Sequence, residues 1–357
     1  MPNGFWSTLQ LPIIGLSPMD GVTDQPYRHI QKKYGKPAVV YTEFTSVEGV
    51  CHGADRLLED FLYDETQRPI IAQIYGTTPD YFRQTAILLC ELGFDGIDIN
   101  MGCPAKNVAH SGAGAALIKT PKLAQEIIRA VQTGVHQWQN GVKSGDCPDI
   151  RPLIWQEVQR RHALLPTQYQ TPHTVPVSVK TRVGFDTPVV SEWISTLLET
   201  DISAIALHGR TLKQHYTGEA KWELIGQAAV LCRDAQTILL GNGDITSLSD
   251  AQEKIATYGV NGVLLGRATF GNPFVFLPHQ EQTALEKAHR NAKIAIEHAQ
   301  LFEESYQHEE RYSFLPMRKH LGWYVGGFPH ASEVRVQLFA ANSSSEVRDI
   351  LAQHQLL

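Results

Sequence analysis

The chain has 357 residues, 43% of them hydrophobic, a net charge of −6 and five cysteines. That length suits two domains or one large α/β barrel with an appendage, and the composition excludes a disordered chain. The acidic balance predicts no global attraction to nucleic acid, while leaving room for a local basic surface.

Cys51, Cys90, Cys103, Cys147 and Cys232 are odd in number and contain no C-x-x-C pair. This argues against a disulfide framework or a zinc site and fits a reducing compartment. The opening MPNGFWSTLQLPII has no basic n-region and no long apolar h-region, so no signal peptide is expected. No apolar run approaches the ~20 residues of a membrane helix. A monomeric cytoplasmic protein with no membrane partner and no metal is expected.

Eight short runs rich in Val, Ile and Leu end in polar or glycine residues. They are Ile13–Ser17, Val39–Glu43, Ile70–Ile74, Gly96–Asn100, Val177–Lys180, Ala204–His208, Thr237–Gly241 and Gly262–Gly266. Helical stripes fall between them at Pro79–Leu92, Pro121–Val131, Ser191–Leu198 and Leu248–Tyr258. A strand, a helix and two loops need roughly 30 residues, which matches the spacing of these runs. The exception is the step from Gly96 to Val177. It holds about 40 extra residues, 134–175, polar and broken by prolines. That piece is expected to be a surface insertion on the strand N-terminal side, with a short helix at Trp155–Leu164. The fold class expected is α/β, a (β/α)8 TIM barrel over 1–280, followed by a helical domain over 281–357 with a glycine-rich aromatic loop at Gly322–Pro329.

In such a barrel the active site lies at the C-terminal strand ends. Polar residues collect there: Ser17-Pro18-Met19-Asp20, Glu43, Gln73, Asn100 with Cys103, Lys180 with Arg182, His208 with Arg210, Asn242-Gly243-Asp244, and Gly266-Arg267. Each has a bland alternative, a satisfied core amide or a rim charge, but together they outline a site. Cys103 sits where a strand stops before Pro104, a place for chemistry or for a buried structural thiol. Gly112 and Gly114 open a helical run whose N–H groups are candidates to face an anion or a ring edge. The glycines at 243 and 266, with Arg267, mark the position where these barrels bind phosphate. A phosphate there suits flavin mononucleotide (FMN) across the mouth. Backbone at Pro18–Met19 and the side chain of Gln73 would hold the ring, with Lys180 beside its N1–C2=O edge. Lys180 as a Schiff-base nucleophile is the alternative.

The strings SPMDGVTD (17–24), DINMGCPAKNV (98–108), SVKTRVG (178–184), ALHGRT (206–211), GNGDI (241–245) and GR (266–267) resemble tRNA-dihydrouridine synthases, in order along nearly the whole barrel. RKHLGWYV (318–325) is similar to that family's RNA-binding domain. The 134–175 insertion, Ser17 and Asp20 depart from the family pattern.

The resemblance implies an FMN enzyme that reduces the C5–C6 bond of uridine in tRNA. NADPH, or NADH, would reduce FMN, hydride would pass to C6, and Cys103 would protonate C5 as general acid. It implies cofactor contacts from Pro18, Met19, Asp20, Gln73, Lys180, His208, Asn242, Gly243, Asp244, Gly266 and Arg267. Asn100, Arg182 and Arg210 would meet the substrate, and Arg318 and Lys319 the tRNA backbone. The target uridine would leave its stack. The alternative reading is a flavin barrel acting on a small molecule, like dihydroorotate dehydrogenase or an ene-reductase.

Overall fold

The computed structural model describes residues 3–215, 217–308 and 312–357, with backbone alone at Lys106. Met1 and Pro2 of the opening segment, and 309–311 of the expected helical domain, lie outside the described residues. Eight strands form one parallel sheet: β1 (Ile13–Leu16), β2 (Val40–Ser46), β3 (Ile70–Tyr75), β4 (Gly96–Met101), β5 (Val177–Arg182), β6 (Ala204–His208), β7 (Ile238–Asn242) and β8 (Gly262–Leu265). Their bonded order is β1-β8-β7-β6-β5-β4-β3-β2. Most are buried along nearly their whole length, which is why they read as continuous apolar runs rather than alternating ones.

The sheet curls. Ile13, Tyr41, Ile71, Ala204, Leu240 and Leu264, from six strands, meet in one cluster capped by Trp6 of the N-terminal turn. Two backbone bonds, Leu16 N–H to the Val39 carbonyl and Ala38 N–H to the Ile14 carbonyl (both 2.9 Å), join β1 to the residues entering β2.

The helices are α1 (Gln25–Gly35), α2 (Val47–Cys51), α3 (Pro79–Glu91), α4 (Lys106–His110), α5 (Pro121–Gln139), α6 (Pro152–His162), α7 (Val190–Leu198), α8 (Trp222–Asp234), α9 (Leu248–Tyr258), α10 (Ala284–Tyr306), α11 (Leu315–Tyr324), α12 (Ala331–Leu338) and α13 (Ser344–Gln353). Local chemistry sets their ends. The Asp24 carboxylate accepts from Tyr27 N–H to start α1; Ser247 caps α9, which stops at Gly259 in the left-handed region; Thr283 and Glu286 form a reciprocal box at the start of α10. The last four helices share an apolar core that includes Phe302, Met317, Leu321, Val334 and Leu351, and Ile30 of α1 joins it. Lys33 and Tyr34 of α1 both bond Glu297 of α10. No described helix is long and apolar enough to cross a membrane.

Three expectations need correction. First, α5 runs on to Gln139, because its stripe continues from Val131 through Val135 to a buried Trp138. Second, the segment after it is more than a surface excursion. Ile154 and Val158 are buried, Ser144 N–H donates to Glu91 Oε2 (2.7 Å), and Asp149 exchanges bonds with Gln84 of α3. Its helix is Pro152–His162 and packs against α3, with Arg161 Nη1 donating to the Leu58 carbonyl (2.8 Å), while Tyr169 covers the Arg68 guanidinium (3.4 Å to the ring centroid). Third, Gly112 and Gly114 do not open an anion cradle. Gly114 begins a 3₁₀ turn, and the N–H groups of Ala113, Ala115 and Ala116 bond to the carbonyls of Val108, Cys103 and Ala113.

Candidate active site

The strand register gathers the polar residues at one edge. Asn100 lies beside Lys180, Arg182 beside His208, and His208 beside Asn242. They open onto a cavity of about 920 Å³, within the usual range for small-molecule sites. Of the strand-end residues named from the sequence, Ser17, Pro18, Met19, Asp20, Gln73, Asn100, Cys103, Lys180, Arg182, His208, Arg210, Asn242, Gly243, Asp244, Gly266 and Arg267 line it, and Glu43 does not.

Cys103 is 9% exposed and packs with Val108, Ala113, Phe44 and Tyr75. Its N–H donates to Asn100 Oδ1 (2.8 Å), as does that of Gly102 (3.0 Å), so the Asn100 amide shapes the loop as the strand ends. Burial pushes the thiol above its ordinary pKa, with only partial relief from the Ala105 N–H. The sulfur therefore carries its proton at neutral pH and suits a proton donor.

The cavity wall is cationic. Burial, and then the neighbouring Arg182 charge, lower Lys180 to about 8. Among the described residues its ammonium makes no hydrogen bond, although it lines the cavity. His208 is buried beside Arg182, Lys180 and Arg210, and burial followed by those charges holds it neutral, far below its ordinary pKa. Its Nε2 lies 3.4 Å from Arg210 Nη1. A guanidinium only donates, so Nε2 accepts and the proton sits on Nδ1.

Arg182 and Arg210 line the cavity and also brace its loops. Arg182 Nε donates to the Gly102 carbonyl (2.6 Å) and Nη1 to that of Thr211 (3.2 Å). Arg210 bonds the Gly218 carbonyl and pairs with Asp244 (2.6 Å). Asp244 also holds Arg267 (3.1 Å). Burial raises its carboxyl, but the Ala220 N–H and the Arg210 guanidinium hold it below the usual range. Its charge thus anchors two arginines at this edge of the cavity. Asn242 Nδ2 ties β7 to the Leu264 carbonyl (2.8 Å). Gly243 has φ +127°, and a Cβ there would lie 2.7 Å from Ala220 and 3.0 Å from the His208 ring, so only glycine fits. At Gly266 a Cβ would meet Met19 Sδ at 3.5 Å and Ser17 Cβ at 3.9 Å, ordinary contacts, so a small side chain would fit there without a clash. The Met19 N–H is taken up by the Thr23 hydroxyl (3.0 Å).

Some site residues were not named from the sequence. Phe44 and His215 line the cavity, and Asp98 and Ser178 lie behind Gln73. Phe44 arrives through an irregularity in β2. The β2–β3 register shifts between Tyr41 and Phe44, and Gln73 N–H bonds the Thr42 hydroxyl (2.9 Å). Arg318 and Lys319, expected at the nucleic acid, bond within the protein: Arg318 to Ala341 O (3.0 Å) and Asn342 Oδ1 (2.7 Å), Lys319 to the Gly21 carbonyl. Among the described residues no group of three or more His, Cys, Asp or Glu is placed to hold a metal ion.

A family model described as dihydrouridine synthase matches residues 15–142 and 164–356, leaving out 143–163, inside the segment read as an insertion. The chain is 34% identical over 356 residues to "Probable tRNA-dihydrouridine synthase 2" of Bacillus subtilis (strain 168), covering 98% of this chain and 96% of that protein. It is 34% identical over 362 residues to "Probable tRNA-dihydrouridine synthase" of Staphylococcus aureus (strain COL), covering 99% and 97%. Among solved structures, a ligand-free DHODH from Eimeria tenella is similar with a TM-score of 0.48 and 14% identity, over 74% of this chain and 81% of that one. The chain belongs to the dihydrouridine synthase family.

Proposed function

We propose that this enzyme reduces uridine to 5,6-dihydrouridine in tRNA, in the cytoplasm, on FMN reduced by NADPH or NADH. The observation that carries the reading is a protonated, buried thiol at Cys103 opening on the same cavity as the Lys180 ammonium, which makes no hydrogen bond among the described residues. The two β1–β2 backbone bonds support a closed (β/α)8 barrel beneath that cavity, and the helices from Ala284 onward are read as the tRNA-binding domain.

The residues present fit FMN. Gly266 on the cavity lining, the only residue type that fits at 243, and Arg267 held by Asp244 suit the phosphate, and Gln73 and Lys180 suit the ring. When bound, FMN would supply the hydride for C6 of the uracil. The protein supplies the rest. Cys103 delivers its proton to C5, Lys180 places a fixed cation in a dry wall, and neutral His208 donates from Nδ1. Phe44 and Tyr75, at 5.1 Å and nearly perpendicular, shield the thiol from water.

A charged Lys180 favours an anionic ligand. FMN affinity should therefore fall as pH rises through about 8, where the Lys180 ammonium loses its proton. In Lys180→Met the affinity should be weaker and free of that fall, in a fluorescence titration across pH. Parallel profiles for both proteins would remove Lys180 from the site. The reading as a whole is tested by mass spectrometry of tRNA from cells lacking this protein and any redundant synthase. Dihydrouridine should vanish from one or a few positions; an unchanged content would refute the assignment. Turnover of dihydroorotate or small enones, with none of tRNA, would favour the small-molecule alternative.

A further inference from the structure

From the cavity wall inward a line of hydrogen bonds crosses three strands. Ser178 Oγ donates to Asp98 Oδ1 (2.6 Å), and Gln73 Nε2 donates to Asp98 Oδ2 (2.7 Å). Asn100 Nδ2 donates to Gln73 Oε1 (3.1 Å), and Asn100 Oδ1 accepts from the N–H groups of Gly102 and Cys103. Ser178, Asp98, Gln73 and Asn100 are all buried, with Asp98 fully so.

The direction of this line is dictated at both ends. Backbone N–H groups only donate, so Asn100 must turn its oxygen to them and its amide nitrogen to Gln73. Gln73 must then answer with its oxygen and turn its own nitrogen to Asp98. An ionised carboxylate can only accept, so it closes the line with every group paired. Each amide has one orientation, and the anchor is the charge at position 98. Burial raises the Asp98 carboxyl to about 6, and the bonds from Ser178 and Gln73 and the charge of Lys180 on the neighbouring strand favour its ionised form.

We infer that Asp98 is a positioning residue for the reaction: its carboxylate holds the Gln73 amide in one direction and, through Asn100, ties that amide to the loop carrying Cys103. The Gln73 half rests on the flavin reading above, and the loop half does not.

The test moves the charge along the line. In Asn100→Asp a second acceptor faces Gln73. Gln73 can donate to only one of the two carboxylates, and its buried oxygen is left facing the other acceptor. In the double variant Asp98→Asn with Asn100→Asp, Asp at 100 accepts from both backbone N–H groups and from a reversed Gln73, while Asn at 98 donates to the Gln73 oxygen and accepts from Ser178. All groups pair again, with Gln73 pointing the other way.

Thermal melts and FMN titrations of wild type, both single variants and the double variant give the readout. The Asn100→Asp melting temperature should drop, and the double variant should recover a large part of that loss. The double variant should still bind FMN about tenfold or more weakly, with a shifted flavin absorption band. If Asn100→Asp fails to fold and the double variant folds, the rescue is read directly. Additive losses of melting temperature, or a double variant that does not fold, would overturn the proposal. So would wild-type flavin binding and spectrum in a stable double variant, which would show that the direction of Gln73 is irrelevant. Should wild type bind no FMN, the flavin reading fails, and the melting cycle alone still decides whether the line exists.

Discussion

Cys103→Ala is expected to keep bound FMN and its reduction by NADPH, and to slow turnover on tRNA by about 10²- to 10⁴-fold, the range lost with a positioned general acid. The expectation follows from where the thiol is and what state it is in. It lines the cavity, burial keeps it protonated, and its loop is held from two sides, by Asn100 Oδ1 on its N–H and by Arg182 on the preceding carbonyl. Removing sulfur leaves Gln73, Lys180 and the glycine-lined end untouched, so the loss should fall on the step that uses tRNA. Stopped-flow absorbance separates the two half-reactions. Flavin reduction should match wild type, and reoxidation by tRNA should be slow. Full activity on tRNA in this variant would rule out the general-acid role.

Glu43→Gln is expected to stabilise the protein in alkaline solution and to change little near pH 5. Glu43 lies in the irregular part of β2, close to Asp24, Asp60 and Asp20. Burial first, and then the charges of Asp24 and Asp60, push its carboxyl up to about 8 from an ordinary 4.5. Arg28 is nearby, but its donors go to Gln67 Oε1 (2.9 Å) and to the carbonyls of Thr23 and Leu62. A folded-state pKa above the unfolded one means that the protonated form stabilises the fold. That contribution is complete below about 4.5 and is lost as pH rises through about 8. Glutamine keeps the shape and never ionises. At pH 9 the variant should exceed wild type by about 3 kcal/mol, a figure built from ~1.4 kcal/mol per pH unit and reduced for partial exposure and coupling to Asp24. Urea unfolding at pH 5, 7 and 9 measures the gap, and a gap that does not widen with pH would contradict the assignment.

What was legible in the sequence follows from range. Most strands are buried along nearly their whole length and lead into polar residues at the same edge, so apolar runs and the residues that end them place both the strands and the cavity residues. Local helix signals did as well where caps were present, as at Leu248–Tyr258. What stayed hidden depends on register or on distant partners. Ser178 and Asp98 are 80 residues apart and meet only because β4 pairs with β5. The register shift in β2 that delivers Phe44 has no glycine to announce it. Gly134 interrupts a stripe that in fact continues to Trp138, since it packs against the Arg83 carbonyl and the Ala86 side chain. Arg318 and Lys319 look like an exposed basic pair, and only the fold reveals their carbonyl partners.

The account stands on a flavin and a sulfhydryl sharing one cavity with space for a pyrimidine ring. A crystal structure of the protein grown with FMN tests this most directly. The account predicts the phosphate at Gly243, Gly266 and Arg267, the ring beside Gln73 and Lys180, and Cys103 Sγ facing it across the remaining gap. A ring bound elsewhere, or a thiol turned into the packing of Val108 and Ala113 with no line to the ring, would contradict it.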